Sequence, residues 1–204
     1  VTGTDSDEDF RSYLNDPVLA ERAKYVEDML CSKDPILQVL IFGLTETVML
    51  FSMFSILRSY QANGRSFIPV LARGTKQSAL DEDLHGLGGA TIINQHFELL
   101  GLHLRDDPVR MPKLYEAIRY TIAHEERLIH NALPRGELNG HTANDYLDYV
   151  KHRANVYLER LGLEKMYDVQ STVAVWCDDQ TAAYKSSDNC SAGMGSEYEH
   201  GLDI

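Results

Sequence analysis

The sequence has few basic residues and few cysteines. Its 204 residues contain 19 Lys and Arg against 31 Asp and Glu, a formal charge of −12, which argues against binding to nucleic acid phosphates or to a membrane through basic residues. The three cysteines, Cys31, Cys177 and Cys190, stand at unrelated spacings and do not fit a disulfide scaffold. The first residues also lack the pattern of a signal peptide. We therefore expect a cytoplasmic chain with protein or small-molecule partners.

Several common sequence patterns are absent as well. The sequence has no Gly-rich phosphate loop and no Cys-x-x-Cys pair, and strand-like alternation is weak throughout, which argues against an α/β domain. Only one long hydrophobic run occurs, at 35–57, and it carries Glu46 at its centre. A carboxylate at mid-bilayer is costly, and no second apolar segment could pair with it. We interpret the run as a buried helix and expect no membrane contact.

Helical periodicity dominates between two polar ends. Start and stop signals predict helices over about 17–31, 34–62, 67–102, 108–133 and 143–162. Three of these exceed 20 residues and are joined by short polar loops, which predicts an antiparallel all-α bundle. We divide the chain into a mobile acidic lead-in at 1–15, a helical bundle at 16–184 and a flexible tail at 185–204.

The most informative segment is SALDEDLHGLGG at 78–89, in which Glu82 and His85 stand at i and i+3. Such a pair on one helix face can bind one metal ion. A second Glu-x-x-His at 197–200 lies in the Gly/Ser-rich tail and is interpreted as chance. Glu46, inside the apolar run, must be neutral, paired or bound to a metal. From spacing alone, a shared metal site and a core polar contact beside a surface pair both stay open.

The wider sequence resembles the small (β, radical-generating) subunit of class I ribonucleotide reductase. The segment 80–85, Leu-Asp-Glu-Asp-Leu-His, is similar to the Arg-Asp-Glu-x-x-His helix of that family, with leucine in place of the arginine. Glu46 matches the carboxylate on the preceding helix. The segment LNGHTANDYLDYVKHRANVYLERLGL at 138–163 resembles the helix in which a Tyr-Val and an Ala-Asn pair precede a Leu-Gly-Leu exit. Residues 173–187, VAVWCDDQTAAYKSS, resemble the segment that leaves the bundle for the tail.

This resemblance implies a ferritin-like bundle with a carboxylate-bridged dinuclear metal centre, for which iron is the first choice and manganese the second. Glu46, Glu82 and His85 are then ligands on one side of the cluster. In that family the oxidising equivalent of the centre passes to a large catalytic subunit, where a cysteine radical starts the reduction of ribonucleotides to deoxyribonucleotides. The flexible tail is expected to dock on that large subunit.

The resemblance also implies two residues for radical transfer. Asp81 matches an aspartate that hydrogen-bonds a ligand histidine and belongs to the transfer path; otherwise it is a solvated acid beside Asp83. Tyr184 is the expected redox tyrosine of the tail, with Tyr198 as the weaker alternative. Either could instead be an ordinary tail tyrosine.

The resemblance is incomplete, because the family uses six ligands and residues 1–84 contain no histidine. The upstream Glu-x-x-His and the radical-bearing tyrosine that follows it are therefore not expected here, and Tyr13 is not assigned that role. We expect the C-terminal part of a split subunit, completed by another chain and assembled as a dimer. The apolar helix at 35–57 would then be left partly uncovered.

Two other functions remain open. The chain could be a metal-free helical interaction protein, a degenerate remnant of the family, or a dimetal oxidase of the same fold with another substrate. A flexible tail that could dock on a large subunit favours the ribonucleotide reductase interpretation over these two. The histidines outside the motif receive no role: His124 and His130, near Glu125 and Glu126, are expected on a solvated helix face.

Overall fold

The computed structural model of the chain describes residues 15–64 and 67–182. These residues form α1 (Pro17–Leu30), α2 (Pro35–Leu44), a π-helical turn (Thr45–Met49), α3 (Leu50–Arg58), a 3-10 turn (Ser59–Gly64), α4 (Pro69–Leu99), a second 3-10 turn (Leu104–Asp106), α5 (Arg110–Ala132), β1 (Glu137–Leu138), β2 (His141–Thr142), α6 (Ala143–Arg160) and α7 (Thr172–Ala182). The all-α prediction is confirmed. The proposed mobile lead-in and tail lie almost wholly outside the described residues.

Side-chain caps begin several helices where the sequence predicts them. The Asp16 carboxylate accepts hydrogen bonds from the first-turn amides of α1, and the Asp34 carboxylate does the same for α2. Both helices have proline in the first turn, where no intrahelical donor is lost. Thr142 and Asp145 form a reciprocal capping box at the start of α6. These local contacts explain why the predicted starts agree with the structure.

The continuous helix from α2 through the π turn to α3 lies at the centre of the bundle, against α4, α5 and α6. Residues Pro35–Gln61 are long and apolar enough to cross a membrane, with a mean hydropathy of 1.9, and 61% of that apolar window is buried inside the protein. The expectation that this helix is left partly uncovered therefore holds for a minor part of its surface. Of its large apolar side chains only Phe42 is exposed, because the other helices already surround it.

Exposed apolar side chains occur instead on α4, which lies at the edge of the bundle. Leu84, Leu87 and Ile92 are 67%, 46% and 56% exposed. The Glu-x-x-His motif belongs to the same part of α4. Part of the uncovered apolar surface thus lies on the same stretch of helix as the motif.

The fourth predicted helix also differs from expectation in one respect. His124 and Glu125 are buried, because α1 packs over this part of α5. The Glu125 carboxylate accepts a hydrogen bond from the Ser52 hydroxyl and lies 3.4 Å from Arg22 Nη2. The prediction of a solvated face is wrong for these two residues, and it holds for His130, which is exposed.

Candidate metal centre

Glu46 is placed by the π-helical turn. At the end of this turn the Leu50 amide donates to the Thr45 carbonyl, five residues back instead of four. Single π-helical turns inside α-helices are frequent at functional sites. They change the direction in which side chains leave the helix relative to a regular α-helix. The Glu46 side chain is 14% exposed, on the side of the helix that packs against α4. The sequence analysis expected an uninterrupted α-helix here and missed the turn.

Glu82 and His85 lie on the face of α4 that meets Glu46. His85 Nδ1 is 2.8 Å from Glu82 Oε2 and 3.7 Å from Glu46 Oε2. Each of the three residues offers one ligand atom, and these atoms all lie within 4.8 Å of one another. His85 is the most exposed, at 55% of its side chain. The structure therefore brings together the three residues that the sequence nominated from two separate helices.

The charges of this cluster favour a bound cation. Burial raises the pKa of Glu46, and the hydrogen bond and charge of Glu82 raise it further, to about 7. The hydrogen bond from Glu46 lowers the pKa of Glu82, and the hydrogen bond with Glu82 raises the pKa of His85. The two carboxylates thus lie where a second negative charge is unfavourable. A metal cation would offset that charge, and this oxygen and nitrogen donor set suits iron and manganese.

Small residues let α2 and α4 approach closely enough to form the cluster. A Cβ atom on Gly86 would lie 2.1 Å from Thr47 Oγ1. One turn further, a Cβ atom on Gly89 would lie 3.8 Å from the Cα of Gly43. Helix α4 runs unbroken over Pro69–Leu99, and these two glycines serve close packing.

Asp81 is exposed, and its carboxylate has no hydrogen-bonding or charged partner within the described ranges. Its proposed contact with a ligand histidine stays a prediction. Tyr184 and Tyr198 lie outside the described residues, so their roles stay predictions as well.

Sequence reasoning missed a group of charged residues next to the candidate ligands. Asp83 accepts hydrogen bonds from Arg153 Nη2 at 2.6 Å and from Arg160 Nη2 at 2.7 and 2.8 Å. Burial opposes ionisation of Asp83, but the two arginines outweigh it and lower the carboxyl pKa. No local signal could identify this pairing, because Asp83 and Arg153 are 70 residues apart in sequence.

Residues 2–174 match the family described as ribonucleotide reductase, small chain. The chain belongs to this family. No curated relative matches it in sequence. The family implies a dimetal centre, and the carboxylate–carboxylate–imidazole cluster built from Glu46, Glu82 and His85 fits one side of such a centre.

Two solved structures show the same fold. The dimanganese(II) NrdF of Streptococcus sanguinis superposes with a TM-score of 0.73 at 16% identity, covering 86% of this chain. The ribonucleotide reductase R2 subunit of Clostridium botulinum gives a TM-score of 0.69 at 16% identity, also covering 86%. The chain spans 59% and 56% of the lengths of these two proteins. The predicted ferritin-like bundle is confirmed.

Proposed function

We propose that this chain provides one side of the dimetal centre of a ribonucleotide reductase small subunit. The observation that carries the proposal is the convergence of Glu46, Glu82 and His85 in a chain of this family. Glu46 comes from the π turn, and the other two come from the adjoining helix α4. Together they offer two carboxylates and one imidazole to a metal ion, either iron or manganese.

The remaining ligands of the proposed centre come from a polypeptide segment outside these 204 residues. Three ligands leave a site half lined, and exposed apolar groups lie near it. Leu84 and Leu87 belong to the same stretch of α4 as His85, and the Phe42 ring centroid lies 6.4 Å from the imidazole. A helix laid over these groups would bury them and complete the site. The sequence analysis predicts that this segment belongs to a separate chain, and that prediction is part of the proposal.

In the proposed activity a bound metal pair supplies the oxidising equivalent for ribonucleotide reduction. Glu46, Glu82 and His85 would hold one side of it, and Glu46 would do so from a largely buried position. Asp81 and Tyr184 are proposed to carry the oxidising equivalent toward a large catalytic subunit, on which the tail docks. We further expect a dimer of the assembled unit in the cytoplasm, without nucleic acid or membrane contact.

Metal analysis of the assembled protein tests the proposal. We expect about two metal ions per assembled unit and the loss of at least one in Glu82→Ala or His85→Ala. Glu98→Ala is the matched control, since Glu98 is an exposed acid on the same helix outside the cluster. Full loading of both ligand variants would refute the ligand assignment. A wild-type protein that assembles but takes up no metal would favour the metal-free interaction protein instead.

A further inference from the structure

Arg153 of α6 is almost fully buried, with 6% of its side chain exposed, yet it contacts three other parts of the fold. A buried guanidinium is stable only where its charge is paired and its donors are used. Its contacts therefore show which elements it holds together. None of them involves the ligand side chains directly.

The first contact is to the π turn. Arg153 Nε donates to the Thr47 carbonyl at 3.0 Å, and Thr47 directly follows Glu46 in the chain. The Arg153 guanidinium carbon also lies 3.7 Å from the centroid of the Phe51 ring, one turn further along the same helix. The guanidinium thus contacts the helix on both sides of the point where the π turn passes into α3.

The second contact is to α4. Arg153 Nη2 donates to Asp83 Oδ1 at 2.6 Å, and Asp83 directly follows Glu82. One planar group with fixed donor directions therefore bonds to a neighbour of each proposed carboxylate ligand. The separation of Glu46 from Glu82 depends on both bonds, since each ligand is one residue away from the contact.

The third contact is to α7. Arg153 Nη1 lies 3.8 Å from Asp178 Oδ1. Asp178 also accepts hydrogen bonds from the Tyr149 hydroxyl at 2.8 Å and from His152 Nε2 at 3.1 Å. Helix α7 is the last described element before the segment that contains Tyr184. Arg153 thus contacts both helices that carry the proposed ligands and also the helix leading into the tail.

We propose that Arg153 is a positioning residue that sets the distance between the Glu46 and Glu82 backbones and couples this distance to the docking of α7. The inference rests on the proposed function, since its consequence is a change in metal affinity. Arg160 provides a matched comparison on the same helix. It donates two hydrogen bonds to the Asp83 carboxylate and a third to the Asp83 carbonyl, but within the described residues it has no hydrogen bond or ion pair with Thr47 or Asp178.

The test compares Arg153→Lys with Arg160→Lys in the chain purified together with the partners that it assembles with. The probe is Mn²⁺ alone, and the readouts are its dissociation constant and amide hydrogen exchange over 45–50 and 172–182. A lysine cannot reach Thr47, Asp83 and Asp178 at once. We expect Arg153→Lys to weaken Mn²⁺ binding by about tenfold, the scale of lost outer contacts to metal ligands, and to speed exchange in both segments. Arg160→Lys should keep both readouts within about twofold.

Two further variants test the contacts of Arg153 with α4 and with α7 separately. They also test the proposal if Arg153→Lys does not fold. Asp83→Asn should weaken Mn²⁺ binding without changing exchange over 172–182. Asp178→Asn should speed that exchange while changing Mn²⁺ affinity less than Asp83→Asn does. If Arg153→Lys or Asp83→Asn binds Mn²⁺ as tightly as the unmodified chain while Glu82→Ala loses it, the positioning role is wrong and the proposed metal site stands. If Glu82→Ala also retains full affinity, the proposed function itself fails.

Discussion

Gly86 of α4 lies against Thr47 of the π turn, so closely that a methyl group at position 86 would stand 2.1 Å from the threonine hydroxyl oxygen. Thr47 is fully buried, and its hydroxyl has no hydrogen-bond partner among the residues that the structure describes. The two residues are immediate neighbours of the proposed ligands His85 and Glu46. This contact therefore places a lower limit on the separation of the two helices that carry the proposed ligands.

Gly86→Ala should force these helices apart. The β-branched threonine cannot rotate freely in a packed helix, so we expect the free energy of unfolding to fall by about 1–3 kcal/mol, the usual cost of overpacking. Urea denaturation measures this change. Gly88→Ala is the control, because nothing lies within 4 Å of its Cβ position, and alanine there should stabilise the helix by about 0.5–1 kcal/mol.

The double variant Gly86→Ala with Thr47→Ala distinguishes a steric effect from a general loss of helix stability. Removal of the hydroxyl makes room for the new methyl group, so most of the lost stability should return. Equal destabilisation in the single and the double variant would show that the contact with Thr47 does not limit the approach.

Tyr157 links α6 to α2 through a buried hydrogen bond. Its hydroxyl donates to the Leu40 carbonyl at 2.7 Å, and its side chain is fully buried. Tyr157→Phe should lower the free energy of unfolding by about 1 kcal/mol, the net value of such a bond. Tyr115→Phe is the comparison, since the Tyr115 hydroxyl makes no hydrogen bond within the described part of the chain. Thermal unfolding measures the loss of stability in both variants. Similar losses would contradict a stabilising role of the Tyr157 hydrogen bond.

His124 should make stability depend on pH. Its Nδ1 lies 3.2 Å from Glu125 Oε1 and its Nε2 lies 2.9 Å from the Val18 carbonyl, so only the doubly protonated ring can donate to both acceptors. The hydrogen bond with Glu125 is the main cause that raises the pKa of His124 above 6.5.

Because the pKa is higher in the folded chain, the contribution of His124 is complete below pH 6.5 and is lost as pH rises through the folded-state pKa. We expect the free energy of unfolding to decline over that range in the unmodified chain and to decline less in His124→Gln, which does not titrate. Parallel pH profiles of the two proteins in chemical denaturation would rule out this contribution.

Tyr184→Phe tests the proposed role of the tail. We expect metal loading and affinity for the large subunit to stay nearly unchanged while nucleotide reduction collapses, because the phenol proton is lost and the ring is kept. Tyr198→Phe is the matched comparison and should remain active. If the two results are reversed, the relay has been assigned to the wrong tyrosine, and if both variants reduce nucleotides normally, radical transfer through the tail is wrong.

Much of the fold could be predicted because its signals are local. Asp16, Asp34 and Thr142 cap helices within their own first turns, and the i, i+3 spacing of Glu82 and His85 places them on one helix face. The approach of Glu46 followed from antiparallel packing of consecutive long helices. In each case the deciding contacts lie within one helix or between neighbours in sequence.

Other features depend on distant residues and left no local signal. The π turn at Glu46 is a local change of hydrogen bonding within an otherwise α-helical segment, and it packs against Gly86 of another helix. His124 and Glu125 follow the same polar pattern as a solvated face, and only the position of α1 above them makes them buried. The bonds of Arg153 to Thr47 and Asp83 cross between helices that are far apart in sequence.

Trp176, the single tryptophan of the sequence, provides an intrinsic optical probe of α7. Its indole Nε1 donates to His141 Nε2 at 3.2 Å, and the two ring centroids are 5.7 Å apart. Because His141 belongs to β2, the β1–β2 hairpin partly covers the indole while α7 is docked. Undocking would expose the ring to water and shift its emission to longer wavelength. Unlabelled protein therefore reports, through fluorescence alone, when the helix that leads into the tail leaves the bundle.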